Sequence, residues 1–381
     1  MPKPKTERRD ALTLRFAAKD ELAHVDDPIH RDVSAIAVTG RTLFAACDET
    51  ASVERLIFNE DGTGFSAHES FPLGKIFDLP DDADGEMDIE GLEIQDGWLW
   101  VTGSHSLKRD DPGSKGLAGL DDIDWDENRS FLGRVPLIDR GNGVFEPVGT
   151  IEVMGGETRR ARSLSMKEEE GVVRNLLRDD PLIGPFVDLP CKENGLDVEG
   201  LAAHGDTVWL GLRGPVVGAY AMIVEMTLKE KRSKPRRLKP KKYEGGLRYK
   251  LYAIDLEGQA IRDLLYCDGT MFVLSGATTD LEAMQSVHRI KNWPPENEVL
   301  LAKQSERVID LPVIRGSDHA EGIAMAEFGD KQQMLIAFDS PDESRIEDKT
   351  QSIDVDVFDL PGVTRARPKA AGKPAPKKKA A

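Results

Sequence analysis

The chain has 381 residues and a formal net charge of −17. That length supports a large core in one domain, and the acidity argues against binding of the whole molecule to nucleic acid. Aromatic residues make up only 6%, low for a sugar-stacking surface. The three cysteines, Cys47, Cys191 and Cys267, lie far apart with no CxxC, which argues against a disulfide framework and fits a reducing cytoplasm.

Residues 1–10 are polar and read as a flexible N-terminus. No apolar stretch follows their charges, which argues against a secretory signal, and no run of 18 apolar residues occurs anywhere, so no membrane span is expected. Residues 11–362 read as a single domain. Leu12-Thr13-Leu14-Arg15-Phe16 alternates as a strand does, and its natural neighbour is the late alternating run Ile353-Asp354-Val355-Asp356-Val357-Phe358. Pairing the two would close a ring and remove two sheet edges.

Between these ends one short pattern recurs. Asp88-Ile89-Glu90-Gly91-Leu92 and Asp197-Val198-Glu199-Gly200-Leu201 are its clearest copies, and Asp318-His319-Ala320-Glu321-Gly322-Ile323 is a third. Two degenerate copies are Ser34-Ala35-Ile36 and Arg262-Asp263-Leu264. Ten residues after the frame position in four copies stands an aromatic: Phe44, Trp100, Trp209 and Phe272. A turn glycine precedes each aromatic (Gly40, Gly97, Gly205, Gly269), so each unit reads as strand, tight turn, strand. The frame positions fall 56, 109, 63 and 59 residues apart. Units of this size predict an all-β fold, a β-propeller of five blades, with six as the alternative if the long interval hides another. The interval contains residues 157–196, which show no strand–turn–strand pattern and favour insertions. The small residue after the frame position is expected where inner strands crowd a common axis.

Other stretches are less regular. Asp121-Asp122-Ile123-Asp124-Trp125-Asp126 starts like an EF-hand loop but lacks its glycine and its closing glutamate, leaving a solvated acidic insertion. The apolar spacing of Val172, Val173, Leu176 and Leu177 predicts a short helix within 166–177. The run 229–242, opening on Lys229 and closing on Lys242, is strongly basic. It reads as a surface loop at the end opposite the site, available to an acidic partner but without aromatics for base stacking. Residues 363–381 are Lys-, Ala- and Pro-rich and read as a disordered basic tail.

In a propeller blade, the entry to the first strand and the exit from the second lie at one end of the channel. That mouth is therefore expected to gather Ser34, Asp88, Glu90, Asp197, Glu199, Arg262, Asp318, His319 and Glu321, with Asp48, His105, Arg213 and Asp339 around them. Glutamates crowded at one axis repel, and three devices can offset this. One is a hard cation such as Ca²⁺ on Glu90, Glu199, Glu321 and Ser34. Another is a hydrogen-bonded ring completed by Arg262, and the third is protonation of one glutamate. His105 in Gly103-Ser104-His105-Ser106 is the candidate for proton transfer, and Arg213 and Arg262 for holding a phosphate or carboxylate.

The Asp-x-Glu-Gly-Leu repeats, Gly-Ser-His-Ser, Ala260-Ile261-Arg262-Asp263-Leu264 and Asp318-His319-Ala320-Glu321-Gly322-Ile323 together resemble a bacterial domain-of-unknown-function family, number 3616, over roughly residues 30–360. More distantly, the Glu-Gly-Leu/Ile repeats are similar to those of phytase-like esterase propellers and five-bladed calcium-dependent nucleotidases. The distant resemblance implies a calcium ion at the channel and hydrolysis of phosphoesters or anhydrides. Arg262 and Ser34 depart from the acidic pattern. Two functions stay open: a metal-dependent hydrolase of a small anionic substrate, and a non-enzymatic propeller that binds a ligand or protein.

Overall fold

The computed structural model describes residues 8–16, 28–81, 85–110, 112–153, 155–166, 170–231, 233–279, 283–314, 316–328 and 331–360. Its body is a set of antiparallel four-stranded sheets, each built around one copy of the repeat. The first contains Ala35–Thr39, Thr42–Ala46, Ser52–Phe58 and Gly64–Pro72. The second contains Ile89–Gln95, Trp98–Gly103, Leu132–Gly141 and Val144–Pro147. The third contains Asp197–His204, Thr207–Gly214, Tyr220–Glu230 and Lys250–Asp255. The fourth contains Ala260–Cys267, Thr270–Gly276, Ser286–Lys291 and Glu306–Asp310. The fifth joins both ends of the chain: His319–Phe328, Lys331–Asp339, Ser352–Asp359 and Arg8–Arg15.

The first strand of each sheet lies against the first strand of the next, and the fifth returns to the first, so the inner strands form a closed ring. This is a β-propeller. The glycine of the repeat shows why the ring closes so tightly. A Cβ on Gly91 would stand 2.5 Å from the Cβ of Leu201, and one on Gly200 would stand 2.9 Å from the backbone nitrogen of Leu264. Neighbouring inner strands pass where only a bare backbone fits. Phe44, Trp100, Trp209 and Phe272 stand on the second strands and are buried between sheets. Each hydrophobic cluster draws on more than one of these sheets, so the core is a series of inter-sheet layers rather than one central mass.

The ring is locked by the termini. Arg8–Arg15 pairs antiparallel with Ser352–Asp359, Leu14 opposite Ile353. It also meets the first sheet in parallel, Thr13 opposite Gly64, so the first and fifth sheets run together. Gly64 is required there, because a Cβ would fall 2.0 Å from the carbonyl oxygen of Thr13. The strand begins at Arg8, inside the segment expected to be flexible, because the alternation at 12–16 extends backward into ladder positions opposite Phe358 and Val357. Residues 363–381, expected to be disordered, lie outside the described residues.

Between Glu90 and Glu199 the described residues hold short strands, 3-10 turns and the helix Gly171–Leu177 rather than another four-stranded sheet. The acidic insertion includes a two-stranded piece, Lys108–Arg109 with Ile123–Asp124. The basic run is a hairpin. Tyr220–Glu230 overshoots its sheet and folds back as Leu238–Pro240. This happens at the end opposite the repeat motifs, since the strand starts beside the exit of Thr207–Gly214. Arg237 donates to Ser163 Oγ and the Leu164 carbonyl, and Arg162 donates to the Pro235 carbonyl. The hairpin is thereby docked on its neighbour rather than wholly projecting. Among the described residues no helix is long and apolar enough to cross a membrane.

Candidate functional site: the channel mouth

Four of the five frame residues owe their direction to a break in register. Ile89 pairs with Gly103 and Gly91 with Thr102, leaving Glu90 as the extra residue of a β-bulge. The same slip falls between Val198 and Gly200, between Ile261 and Asp263, and between Ala320 and Gly322. Glu199, Arg262 and Glu321 are therefore bulge residues too. A bulge bends its strand and re-aims one side chain. Here it frees a long charged group from the ladder at the start of the inner strand. The first sheet has no such slip, and Ala35 pairs with Ala46 in regular register.

The bulges and second-strand ends surround a cavity of about 330 Å³. Glu90, Arg213, Arg262, Asp48, Asp88, Asp318, His319, Glu321 and Asp339 line it, so nine of the candidate residues meet at one place. Asp197 and Glu199 sit just outside its lining, held under Arg213. Below, the channel narrows to a void of about 10 Å³ walled mainly by aliphatic side chains of the inner strands, such as Ile36, Leu92 and Ile323.

Half of the mouth is an ion-pair network. Arg213 contacts Asp197 Oδ2 at 2.6 Å and Glu199 Oε1 at 2.7 Å. Arg262 reaches Glu199 Oε2 at 2.8 Å and also pairs with Glu321. Burial pushes the Glu199 carboxyl up to about 7, although both arginines pull it down. These contacts are ion pairs rather than well-formed hydrogen bonds, since among the described residues Glu199 Oε1 and Oε2 and Arg262 Nε have no hydrogen-bond partner. Guanidinium groups are the counter-charges that Glu199 and Glu321 meet.

The other half is acidic. Ligand oxygens of Asp48, Asp88 and Glu90 all lie within 4.8 Å of one another. Burial, then the neighbouring carboxylates, raises Asp48 and Glu90 well above the usual carboxylate range. Asp32 joins them, pushed up to about 8 by burial first and the Asp339 charge next. Its backbone bridges that of Asp339, closing the seam between first and fifth sheets. Arg129 meets Asp88 Oδ2 at 3.2 Å and also pairs with Glu86. Among the described residues no group donates a hydrogen bond to the buried Oδ1 atom of Asp48. A buried orphan oxygen among other carboxylates suits a hard divalent cation, which prefers all-oxygen ligands. The residues present fit such an ion.

Two expected site residues are elsewhere. Ser34 is buried and donates to the Ile89 carbonyl at 2.5 Å, stitching the first sheet to the second. Its hydroxyl is committed to that carbonyl and is not part of the acidic cluster. His105 is fully buried outside the cavity lining, with Nε2 facing Thr102 Oγ1 at 3.3 Å. Its carbonyl accepts from Arg174, and burial, then the Arg174 charge, lowers its pKa to about 3. A neutral, sequestered imidazole does not reach a ligand in the cavity. Asp318 lines the rim but is clamped by Arg345, Nε to Oδ1 at 2.7 Å.

Asp32, Lys108, Arg129 and Lys192 also line the cavity. Asp32 was legible, because Asp32-Val33-Ser34 keeps the Asp-x-frame spacing of Asp88 to Glu90. Nothing local marks the other three: Lys108 and Arg129 arrive on the long connection between the second and third strands of the second sheet, and Lys192 on the segment leading into the third sheet.

Fold and site together define a β-propeller with a charged pocket at one mouth of its channel. The chain belongs to the family described as "Protein of unknown function (DUF3616)", which matches residues 32–356. No curated protein sequence matches it. Among solved structures it is similar to a luciferin-regenerating enzyme, at 9% identity and a TM-score of 0.38, covering 96% of this chain and 99% of that one. It is similar to the glutaminyl cyclase of Myxococcus xanthus, at 10% identity and a TM-score of 0.40, covering 93% and 97%. It is also similar to the Dos1 propeller, at 5% identity and a TM-score of 0.28, covering 87% and 58%.

Proposed function

We propose that the channel mouth binds a hard divalent cation and that the protein is a cation-dependent hydrolase of a small anionic, phosphorylated substrate. The observation that carries this reading is the Asp48–Asp88–Glu90 cluster with its orphaned Asp48 oxygen, facing a cavity also lined by Arg129, Arg213 and Arg262. When bound, a divalent cation neutralises phosphoryl oxygens and lowers the pKa of a bound water. The chain's own part is positional. Asp197, Glu199 and Glu321 hold Arg213 and Arg262 in place from below, so their remaining N–H groups are pre-oriented toward a phosphate. Such fixed donors need little reorganisation as charge develops.

A second reading is favoured by the same arginine pairs. A ring of internal ion pairs is also what a non-enzymatic ligand-binding propeller would use to set blade register. One experiment separates the two. Melting temperature is followed while Ca²⁺, Mg²⁺ or Mn²⁺ is titrated, and a phosphoesterase panel is run with and without the ion. The hydrolase reading expects a rise in melting temperature with cation, by linkage, together with cation-dependent turnover. Asp48→Asn and Glu90→Gln should each abolish the rise. A melting temperature indifferent to every divalent ion sinks the cation site and the mechanism with it. A shift without turnover leaves the binding scaffold.

A further inference from the structure

The cavity's walls differ in chemistry, and the difference bears on what it takes. One wall carries Lys108 and Arg129, from the long connection between the second and third strands of the second sheet, and Lys192, from the segment leading into the third sheet. The floor carries Arg213, Arg262 and the acidic cluster. The remaining wall comes from the loop after the fourth sheet's second strand and the connection into the fifth sheet. Beside the polar Thr279, Gln285 and Ser317 it contributes Ala277, Ala283, Pro312, Val313 and Ile314. Val313 is 52% exposed and Pro312 is also open to solvent. Three successive apolar residues on the rim of an otherwise charged cavity leave apolar surface in water, which a ligand with an apolar portion would cover.

Resting on the hydrolase reading, we propose that the ligand class is a phosphate monoester of an apolar alcohol, aryl or alkyl. The phosphate lies on the arginine and acidic-cluster side, and the alcohol portion lies on the Pro312–Val313–Ile314 lip. Hydrolysis balances simply. Water adds to phosphorus, the bridging P–O bond breaks, and the alcohol leaves with one of the water's protons. Specificity arises because the lip contacts only the leaving alcohol, while every charged group contacts the head. One apolar contact of this kind discriminates by roughly 10-fold or more.

Binding of non-hydrolysable probes tests the ligand class apart from catalysis. Phenylphosphonate and methylphosphonate share a head group and differ only in the apolar portion. Their dissociation constants are measured by calorimetry on the full-length protein in CaCl₂, for wild type and for Val313→Asn, a neutral polar substitution at an exposed position. The expected result is phenylphosphonate binding about 10-fold tighter than methylphosphonate, with the gap lost in Val313→Asn and methylphosphonate affinity kept within about twofold. Equal affinities, no binding of either probe, or a gap that survives Val313→Asn each overturns the inference. Phenyl phosphate and glycerol phosphate turnover is then read separately. A lip-dependent gap without turnover keeps the ligand class and removes the hydrolase. Equal turnover of both esters with no gap in probe affinity does the reverse.

Discussion

The two halves of the mouth are built from equivalent positions of the same repeat and solve charge burial differently. On the side of the third, fourth and fifth sheets, Glu199 and Glu321 share Arg262, and Arg213 takes Asp197 and Glu199. On the side of the first and second, Asp32, Asp48 and Glu90 stand with Asp339, and Arg129 reaches Asp88 and Glu86 at the edge. Paired charges make a rigid half whose energy does not depend on an ion. The other half is left to protons or a cation, because carboxylates this close cannot all ionise in a partly desolvated site. Arg262 and Ser34, standing where the other frame positions carry glutamate, make the repeat asymmetric, and the asymmetry divides the mouth into a paired half and an acidic half.

The largest expected effect comes from breaking the paired half. Arg262→Ala leaves the buried Glu321 without its guanidinium partner and Glu199 with Arg213 alone, and should cost about 3–5 kcal/mol of unfolding free energy in urea, against a small change for Asp48→Asn in the same assay. Equal losses from the two would show that the halves are not energetically distinct.

The next effect is on pH dependence and sharpens the acidic half. Asp32 has its folded pKa raised to about 8, above an unfolded value of roughly 4. The native state therefore holds the extra proton between those values. Its contribution is full below about pH 4 and is lost as pH rises through about 8. Urea unfolding in chelator should show stability falling across pH 5–9, and Asp32→Asn should flatten that fall. A wild-type profile that rises through this window would contradict the placement of Asp32 and Asp339.

The smallest effect concerns a residue outside both halves. Ser34→Ala removes the bond to the Ile89 carbonyl and should cost about 1 kcal/mol while leaving any divalent-ion response of the melting temperature unchanged. A lost ion response would return Ser34 to the cation site.

Much of this was written in the chain itself. The frame spacing, the turn glycines and the buried aromatics announce strand–turn–strand units, because period-2 burial and inter-strand approach are local demands on residue type. Gly91 and Gly200 are glycine for a reason that one repeat predicts for the next. The closing pair of terminal strands was likewise legible, since two half-buried alternating runs each lacked a partner nearby. The gathering of Asp88, Glu90, Arg262 and Glu321 at one mouth followed from blade topology alone.

What the tertiary structure decided was partnership. A frame position says that a side chain points toward the channel, but not which neighbour it meets there. Arg213 reaching Glu199 across its own sheet, and Arg262 reaching both Glu199 and Glu321 across sheet boundaries, depend on bulge geometry and on distances of a few ångströms. His105 and Ser34 share that lesson. Each sits at a strand end near the mouth in sequence, yet a left-handed turn at His105 (φ 55°) and a carbonyl 55 residues from Ser34 take both out of the cavity. Lys108, Arg129, Lys192 and the Pro312–Val313–Ile314 lip reach the site on irregular segments. Periodicity carries no signal for such segments, because only packing against the finished ring determines where they lie.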